Sequence, residues 1–555
     1  MNDTFSTSEQ RWLRFFILLA IGVNFSGLFI PLMDPDAGVY ASLSKNLLLR
    51  GHWWELYFQG NDWLDKPHFP FWITAVFFKI FGMHTWSYKL PGILFVLLGA
   101  FYTYRFALQL YSKRVALWSV LILLTAEHII ISNNDVRAEP FLTGLVIAAI
   151  YHYILAAKRP FGWSLVLGSL FAACAVMTKG IFTLIPIGGA LVTHWAITKN
   201  RKALFHPRWI AALVLVAVFI SPELYSLWLQ FDQHPEKIVF GTTQVSGIRF
   251  FLWDSQFGRF FNKAPMKGSG DPFFFVHTLL WAFLPWSLMM YAALISRIRQ
   301  WVKKTGLRQA EWYTLGGSVL TLLVFSLSKF QLPYYANIIF PLLAVLTADL
   351  VVRATEKGSR AFRIMQYVII ALLLLLAGAL HFLYRPDLSP AALLILPLGA
   401  VLLLVLLPRW LQSNPETIVF YRTVLAIAAV NLYINLIFYP DLLRYQSSSE
   451  AAFYVNRELP EERAVHAGSY APVFEFYIRD PQFRADTIVY RHPDRYTPGV
   501  WYISDEEYDQ VRQRNIPHQI IREIDEFHVT TMSLDFVNDR TRKQQLKKYY
   551  LIRIQ

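Results

Sequence analysis

The chain has 555 residues, of which 55% are hydrophobic, 16% aromatic and 16% charged. A soluble globular protein is about a quarter charged, so this composition excludes a soluble or disordered protein and indicates a polytopic membrane protein. The formal net charge of +14 lies in short loops between apolar runs, a pattern typical of membrane topology and not of a nucleic-acid partner. A single cysteine, Cys174, excludes an internal disulfide and a thiolate metal cluster.

A transmembrane helix needs about 20 apolar residues. About thirteen stretches meet this requirement, near residues 12–32, 88–110, 114–132, 138–157, 161–178, 180–198, 208–229, 272–296, 312–328, 331–352, 363–384, 390–408 and 419–439. The stretch 68–83 is short, opens with prolines and carries Lys79. It is interpreted as a helix lying in the membrane interface and not as a span.

Loop charge sets the orientation of these spans. With the N-terminus in the cytoplasm, the basic clusters of six loops fall on the cytoplasmic side. The opposite side then receives the loops 33–87 and 230–271 and the tail after residue 440. In the tail, β-like runs (AVHAGSY, TIVYR, GVWYI, HQIIREI, FHVTTMSL, YYLIRIQ) alternate with helical ones. The sequence therefore predicts a membrane domain, 1–440, followed by a small extracytoplasmic α/β domain, 441–555.

Acidic residues at the extracytoplasmic ends of the spans are the first candidates for function, because acids near membrane depth are costly and commonly functional. The first span is followed by MDPDAGVYA. Asp34 either caps the next helix or acts in a site. Asp36 is favoured as a functional residue.

The motif NDWLDKPHFPFW places Asp65 beside Lys66 among aromatic residues. This pair is either a surface ion pair or a carboxylate and an ammonium aimed at an anionic headgroup, since lysine binds phosphate as a point charge.

Further candidates lie at the starts and ends of later spans. Glu139 in RAEPFL acts functionally or serves the first turn of its helix. Lys179 in MTKG and Lys329 in SKFQLPYY bind an anion or extend to the membrane interface. Tyr335 belongs to the site or to an aromatic belt. The sequence contains no HExxH, Walker or CxxC motif.

The succession of DPDAGVYA, DKPHFPFW, RAEPFL, MTKG and SKFQLPYY resembles the C-type (GT-C) membrane glycosyltransferases, which take a sugar from a polyprenyl-phosphate lipid. The pattern is closest to the aminoarabinose (lipid A) transferases and more distant from the protein mannosyltransferases. The resemblance implies a GT-C fold. It places the functional residues of the family on Asp36, Asp65, Lys66, Pro67, Glu139, Lys179, Lys329, Leu332, Pro333 and Tyr335.

Some positions depart from the aminoarabinose transferase pattern. Asp65 stands where that family has Glu, and Glu139 stands where Asp is usual. Val39 stands where that family has Arg, and the stretch GSGDP lacks the His that helps to hold a metal there. Metal dependence is therefore left open, with Asp65 as the candidate ligand of a divalent ion.

The resemblance implies an inverting transferase in a bacterial inner membrane, with its active face in the periplasm. The donor is a sugar on polyprenyl phosphate, such as undecaprenyl phosphate, and the acceptor is lipid A, another glycan or a protein. Asp36, Asp65 and Glu139 are expected in the catalytic set, with Asp36 on the acceptor side. The phosphate is assigned to Lys66, Lys179, Lys329 and Tyr335. The alternatives are a protein O-glycosyltransferase using the same kind of donor, and a transporter or lipid flippase.

Overall fold

The protein is mostly helical in the computed structural model, which describes residues 7–159, 161–262, 267–387, 401, 405–406, 411, 413–462, 464–468, 470–479 and 497–555. The helices before residue 446 are α1 (Thr7–Ser26), α2 (Asp36–Arg50), α3 (Phe69–Phe81), α4 (Thr85–Leu110), α5 (Lys113–Leu124), α6 (Glu127–Asn134), α7 (Glu139–Lys158), α8 (Trp163–Lys179), α9 (Leu184–Ile197), α10 (Arg201–Leu204), α11 (Arg208–Phe219), α12 (Ser221–Leu227), α13 (Gly247–Arg249), α14 (Ser255–Phe260), α15 (Phe274–Ala282), α16 (Ser287–Val302), α17 (Tyr313–Leu327), α18 (Phe340–Glu356), α19 (Arg360–Tyr384), α20 (Pro415–Tyr433) and α21 (Tyr439–Leu442). A 3₁₀ helix, Pro333–Ile339, leads into α18.

Six helical segments in the described residues are long and apolar enough to cross a membrane. They are Thr85–Leu110, Glu139–Lys158, Arg201–Phe219, Pro333–Glu356, Arg360–Tyr384 and Pro415–Tyr445. The bent pair α5 and α6 satisfies the same criterion as a unit. The chain is thus a multi-pass membrane protein, as its composition indicates. The number thirteen stays a prediction, as does the interfacial position of α3, and most of the predicted span 390–408 lies outside the described residues.

Several stretches expected to be single spans are broken, and two of the breaks meet. The stretch 114–132 forms α5 and α6, which meet at an angle of 49°. At this break the Glu127 N–H donates to the Leu284 carbonyl oxygen at 2.9 Å. The stretch 272–296 forms α15 and α16, and Pro285 lies between them. Proline interrupts helical hydrogen bonding because it has no N–H to donate. The Glu127–Leu284 bond joins the two breaks and satisfies one backbone group of each.

After residue 446 the described chain forms a mixed α/β unit. The strands are β3 (Val465–Ala467), β4 (Gly499–Ser504), β5 (His518–Glu526) and β6 (Lys547–Ile554), and the helices are α22 (Ser447–Glu458), α23 (Pro472–Tyr477), α24 (Asp505–Gln513) and α25 (Leu534–Val537). The strand order is β3-β4-β6-β5, with β3 and β4 parallel and the other pairs antiparallel. A separate hairpin of β1 (Tyr57–Phe58) and β2 (Asn61–Asp62) lies in the loop after α2.

One expected strand of the tail is not a strand. The run FHVTTMSL, 527–534, contains a 3₁₀ turn at Val529–Thr531. Val529 and Phe536 are buried in a cluster with Tyr384 at the end of α19, so burial against the membrane part replaces strand pairing here. The run TIVYR lies outside the described residues.

The C-terminal unit is fastened to the start of α2. The Asp34 carboxylate accepts hydrogen bonds from the Ser448 hydroxyl and from the Val473 N–H. A Cβ on Gly38 would lie 2.7 Å from the Val473 nitrogen, so only glycine permits this approach. Deeper in α2, the Lys45 ammonium donates to three backbone carbonyls at the end of α23.

The acid Glu526 gives this unit an expected pH dependence. Burial raises the pKa of Glu526 to about 7 from its ordinary 4.5, against the hydrogen bonds from Ser447, which lower it. The folded state therefore binds this proton more tightly than the unfolded state, so the unfolding free energy should fall by about 3 kcal/mol as the pH rises between these two values.

We expect the melting temperature of the purified protein to rise as the pH is lowered from about 8 to about 5. The variant Glu526→Gln should show a smaller dependence, because it has no proton to gain. An unchanged pH dependence in this variant would contradict the role given to Glu526.

Candidate active site

The first acid of the site begins a helix. Asp36 is the first residue of α2, where the helix dipole stabilises a carboxylate. Its side chain is 45% exposed and pairs with the Arg137 guanidinium, whose other nitrogen pairs with Asp135. Arg137 therefore bridges two acids. Two carboxylates around one guanidinium leave a net negative charge here.

The second acid is shared by two cations. Both oxygens of the Asp65 carboxylate are engaged, one by the Lys66 ammonium and one by the Arg259 guanidinium. Burial by itself would raise the pKa of Asp65, but these two cations hold it below its ordinary value. Two cations around one carboxylate leave a net positive charge at this point.

A third pair joins two helix ends. Glu139 is the first residue of α7 and Lys179 the last of α8, and their side chains form an ion pair. The Lys179 nitrogen lies 3.9 Å from the centroid of the Tyr335 ring and 5.2 Å from that of Tyr334, close enough for cation–π attraction. The three predicted residues Glu139, Lys179 and Tyr335 thus lie together.

All these groups except Asp135 line one cavity of about 1320 Å³. The charged residues that line it are Asp36, Asp62, Asp65, Lys66, Arg137, Glu139, Lys179 and Arg259. A second pocket, with more apolar than polar lining, adjoins it at Glu139, Lys179 and Arg259. The apolar members of this second pocket include Leu142, Phe182, Phe260, Phe325 and Ile338. The arrangement can hold a charged head in the cavity and an apolar chain beside it.

Of the predicted residues, Lys329 lies apart. Its side chain is exposed, and it is not among the described residues that line either the cavity or the adjoining pocket. Its backbone N–H donates to the Phe260 carbonyl oxygen, which fixes the loop before the 3₁₀ helix. In contrast, sequence reasoning missed Arg259, because an arginine in an aromatic loop follows no motif and only the fold brings it to Asp65.

The groups at Asp65 do not suit a divalent metal. Its two oxygens already contact cations, and the described part of the chain contains no group of three His, Cys, Asp or Glu side chains able to hold a metal ion. Protein sites for such ions need several oxygen, nitrogen or sulfur ligands.

The C-terminal unit also contributes to the cavity. Tyr470 and Thr530 line it together with Gln59, Asn61 and Trp63 of the β1–β2 hairpin region. The Phe58 ring, beside this wall, has its centroid 5.5 Å from that of Trp63 and 5.9 Å from that of Tyr470. Asp62, the one acid on this side of the described lining, is paired with Lys237. The cavity therefore has one densely charged wall and one wall without net charge, called here the neutral wall.

Comparisons with known proteins agree with this geometry. The family model "Dolichyl-phosphate-mannose-protein mannosyltransferase" matches residues 65–226, a range that contains Asp65, Lys66, Glu139 and Lys179. Two curated relatives are undecaprenyl phosphate-alpha-4-amino-4-deoxy-L-arabinose arabinosyl transferases. The chain is 27% identical over 343 residues to the protein of Erwinia tasmaniensis and 30% identical over 347 residues to that of Edwardsiella ictaluri.

Each of these alignments covers 60% of this chain and 58% of the relative. The fold is similar over a longer range: a crystal structure of ArnT from Cupriavidus metallidurans bound to undecaprenyl phosphate superposes with a TM-score of 0.73 at 18% identity, covering 98% of both chains. The predicted resemblance to the C-type membrane glycosyltransferases, of the aminoarabinose transferase-like and protein mannosyltransferase-like kind, is therefore confirmed.

Proposed function

We propose that this protein is an inverting membrane glycosyltransferase that moves a sugar from a polyprenyl phosphate, such as undecaprenyl phosphate, to an extracytoplasmic acceptor. The observation that carries this proposal is the distribution of charge in the cavity. The surplus of positive charge at Lys66 and Arg259 adjoins the apolar pocket, and the surplus of negative charge lies at Asp36. A lipid phosphate and an acceptor need these two environments.

In this proposal, Lys66, Arg259 and Lys179 bind the donor phosphate, and the Tyr335 ring packs against Lys179. These groups stabilise the charge that develops on the leaving phosphate. Asp65 and Glu139 orient the cations that they contact. Attack by the acceptor oxygen on the face opposite the phosphate inverts the anomeric carbon, and Asp36 orients the acceptor or takes its proton.

The proposed location is a bacterial inner membrane with the cavity on the periplasmic side, since the basic loops then lie in the cytoplasm. The acceptor classes are lipid A, another glycan and a protein. The relatives' names support a sugar on undecaprenyl phosphate as the donor. The choice among the acceptor classes is a matter for experiment.

The test is mass spectrometry of polyprenyl-phosphate sugars and envelope glycans in cells with and without the protein. We expect a lipid-linked sugar to accumulate on deletion while one glycan, lipid A species or protein loses that sugar. Unchanged pools, with the protein shown to be expressed, would contradict a transferase and favour a transporter or flippase.

Replacing Lys66 tests the phosphate site. Lys66→Ala removes one charged hydrogen-bond donor, a loss of about 1.5–3 kcal/mol, so we expect the affinity for undecaprenyl phosphate to fall about 10- to 100-fold. The matched control is Lys237→Ala, since Lys237 is as exposed as Lys66 and also forms an ion pair, with Asp62. Native mass spectrometry or tryptophan quenching measures the affinity, and equal affinities of both variants would remove Lys66 from the phosphate site.

A further inference from the structure

The neutral wall of the cavity points to the class of acceptor. We infer that the acceptor is an uncharged sugar, which reacts through a hydroxyl group and binds against Gln59, Asn61, Trp63, Tyr470 and Thr530. This inference rests on the proposed function and adds to it a binding site and a choice among the acceptor classes.

The wall has the chemistry of a carbohydrate site. Amide, indole and hydroxyl groups stand beside aromatic rings, and pockets for small polar ligands combine such rings with a few hydrogen-bonding groups. Tyr470 is 43% exposed and lines the cavity. The single acid on this side, Asp62, is already engaged by Lys237 and by the Gln230 amide.

Two hydrogen-bond donors of this wall lack acceptors. The Gln59 Nε2 and Trp63 Nε1 atoms are buried and meet no hydrogen-bond partner in the described part of the chain. Gln59 itself is 8% exposed, and both residues line the cavity. Buried N–H groups are normally paired, and the hydroxyl oxygens of a sugar supply the acceptors when these side chains turn toward it.

The charge of the cavity disfavours an anionic acceptor. Four cations and four acids line it among the described residues. Two partners just outside the lining, Asp135 on Arg137 and Lys237 on Asp62, carry opposite charges, so the site is balanced before any substrate binds. The donor phosphate brings one negative charge, which neutralises the net positive charge of Lys66, Arg259 and Asp65. A phosphate on the acceptor would then meet the negative surplus at Asp36, and the described neutral wall offers it no cation.

With a hydroxyl acceptor, the reaction is balanced by the groups present. The acceptor oxygen forms its bond to the anomeric carbon as the bond from that carbon to the phosphate oxygen breaks. The polyprenyl phosphate leaves with the electron pair of that bond. The hydroxyl proton passes to the Asp36 carboxylate, whose exposure to the cavity allows this contact.

The linkage in the product tests the inference. The sugar-bearing species present in wild-type cells and absent from deletion cells is isolated and treated with mild acid. We expect the transferred sugar to survive as a glycoside bonded to another sugar. An acid-labile sugar with a phosphodiester signal in ³¹P NMR, or a sugar released from Ser or Thr by β-elimination, would overturn the inference while leaving the proposed function intact. A complete absence of such a species contradicts the proposed function itself.

Variants of the neutral wall give a second test. Tyr470→Ala should lower the amount of product in complemented cells about tenfold, while the purified variant binds undecaprenyl phosphate as the wild type does. Tyr470→Phe keeps the ring and should retain most of the product. Gln59→Glu exchanges an amide donor for a carboxylate of the same shape. This variant should also lower the amount of product in complemented cells. Wild-type product levels in both Tyr470→Ala and Gln59→Glu would overturn the assignment of this wall to the acceptor.

Discussion

Asp36→Asn is expected to reduce sugar transfer by about 10²- to 10⁴-fold, the usual contribution of a general base. The side chain keeps its size, and its remaining oxygen can still accept a hydrogen bond from Arg137. What is lost is the ability to take a proton from the acceptor. We therefore expect normal expression, membrane insertion and affinity for undecaprenyl phosphate, with loss confined to turnover.

The control for this experiment is Asp525→Asn. Asp525 is 43% exposed and forms an ion pair with Lys548, so it matches the environment of Asp36 in both respects while lying on β5, away from the cavity. Transfer by this variant should equal that of the wild type. Undiminished transfer by Asp36→Asn, measured as product in complemented deletion cells, would contradict the role of Asp36 as the general base.

The sequence located most of the charged wall because acids and lysines stand out where spans end. Asp36, Asp65, Lys66, Glu139 and Lys179 belong to short motifs at such ends, and the fold brings them to one cavity. Helix ends on one side of a membrane bundle necessarily approach one another, so residue type and topology together predict this grouping.

Other features depend on pairings between distant segments, which a single sequence does not display. Arg259 reaches Asp65 from α14, 194 residues further along the chain. Lys329 has the expected residue type at a span end, yet it is not among the described residues that line the cavity. The break between α5 and α6 depends on hydrogen bonds to the segment of Leu284 and Trp286. In each case a contact with a segment distant in the sequence, and not the local sequence, decides where the residue lies.

The docking of the C-terminal unit onto α2 is the feature that the sequence predicts least. Removing its central contact, at Lys45, is expected to lower both stability and turnover. Lys45 is 4% exposed, and its ammonium donates to the carbonyl oxygens of Glu475 at 2.7 Å, Phe476 at 3.1 Å and Ile478 at 2.8 Å. A cation at the C-terminal end of a helix is favourable because it satisfies carbonyl groups that have no partner within the helix. This contact fixes α2, and α2 carries Asp36 at its start.

Lys45→Met keeps the apolar stem and removes the charge. We expect a loss of at least about 3 kcal/mol of stability, since several buried carbonyl groups lose a charged donor, and a clear fall in melting temperature. Lys79→Met, at an exposed lysine near the end of α3, is the control and should change little.

The activity of Lys45→Met separates a positioning role from a purely structural one. Below its melting temperature, the variant should bind undecaprenyl phosphate normally. The residues proposed to bind the phosphate lie on α8, on α14 and in the loop before α3, and not on α2. Its turnover should fall, because α2, which carries Asp36 at its start, loses the contact that fixes it to the C-terminal unit. A less stable protein with wild-type turnover would show that α2 keeps its place without Lys45. A variant that loses donor affinity to the same degree as turnover would instead indicate that the C-terminal unit supports the entire cavity.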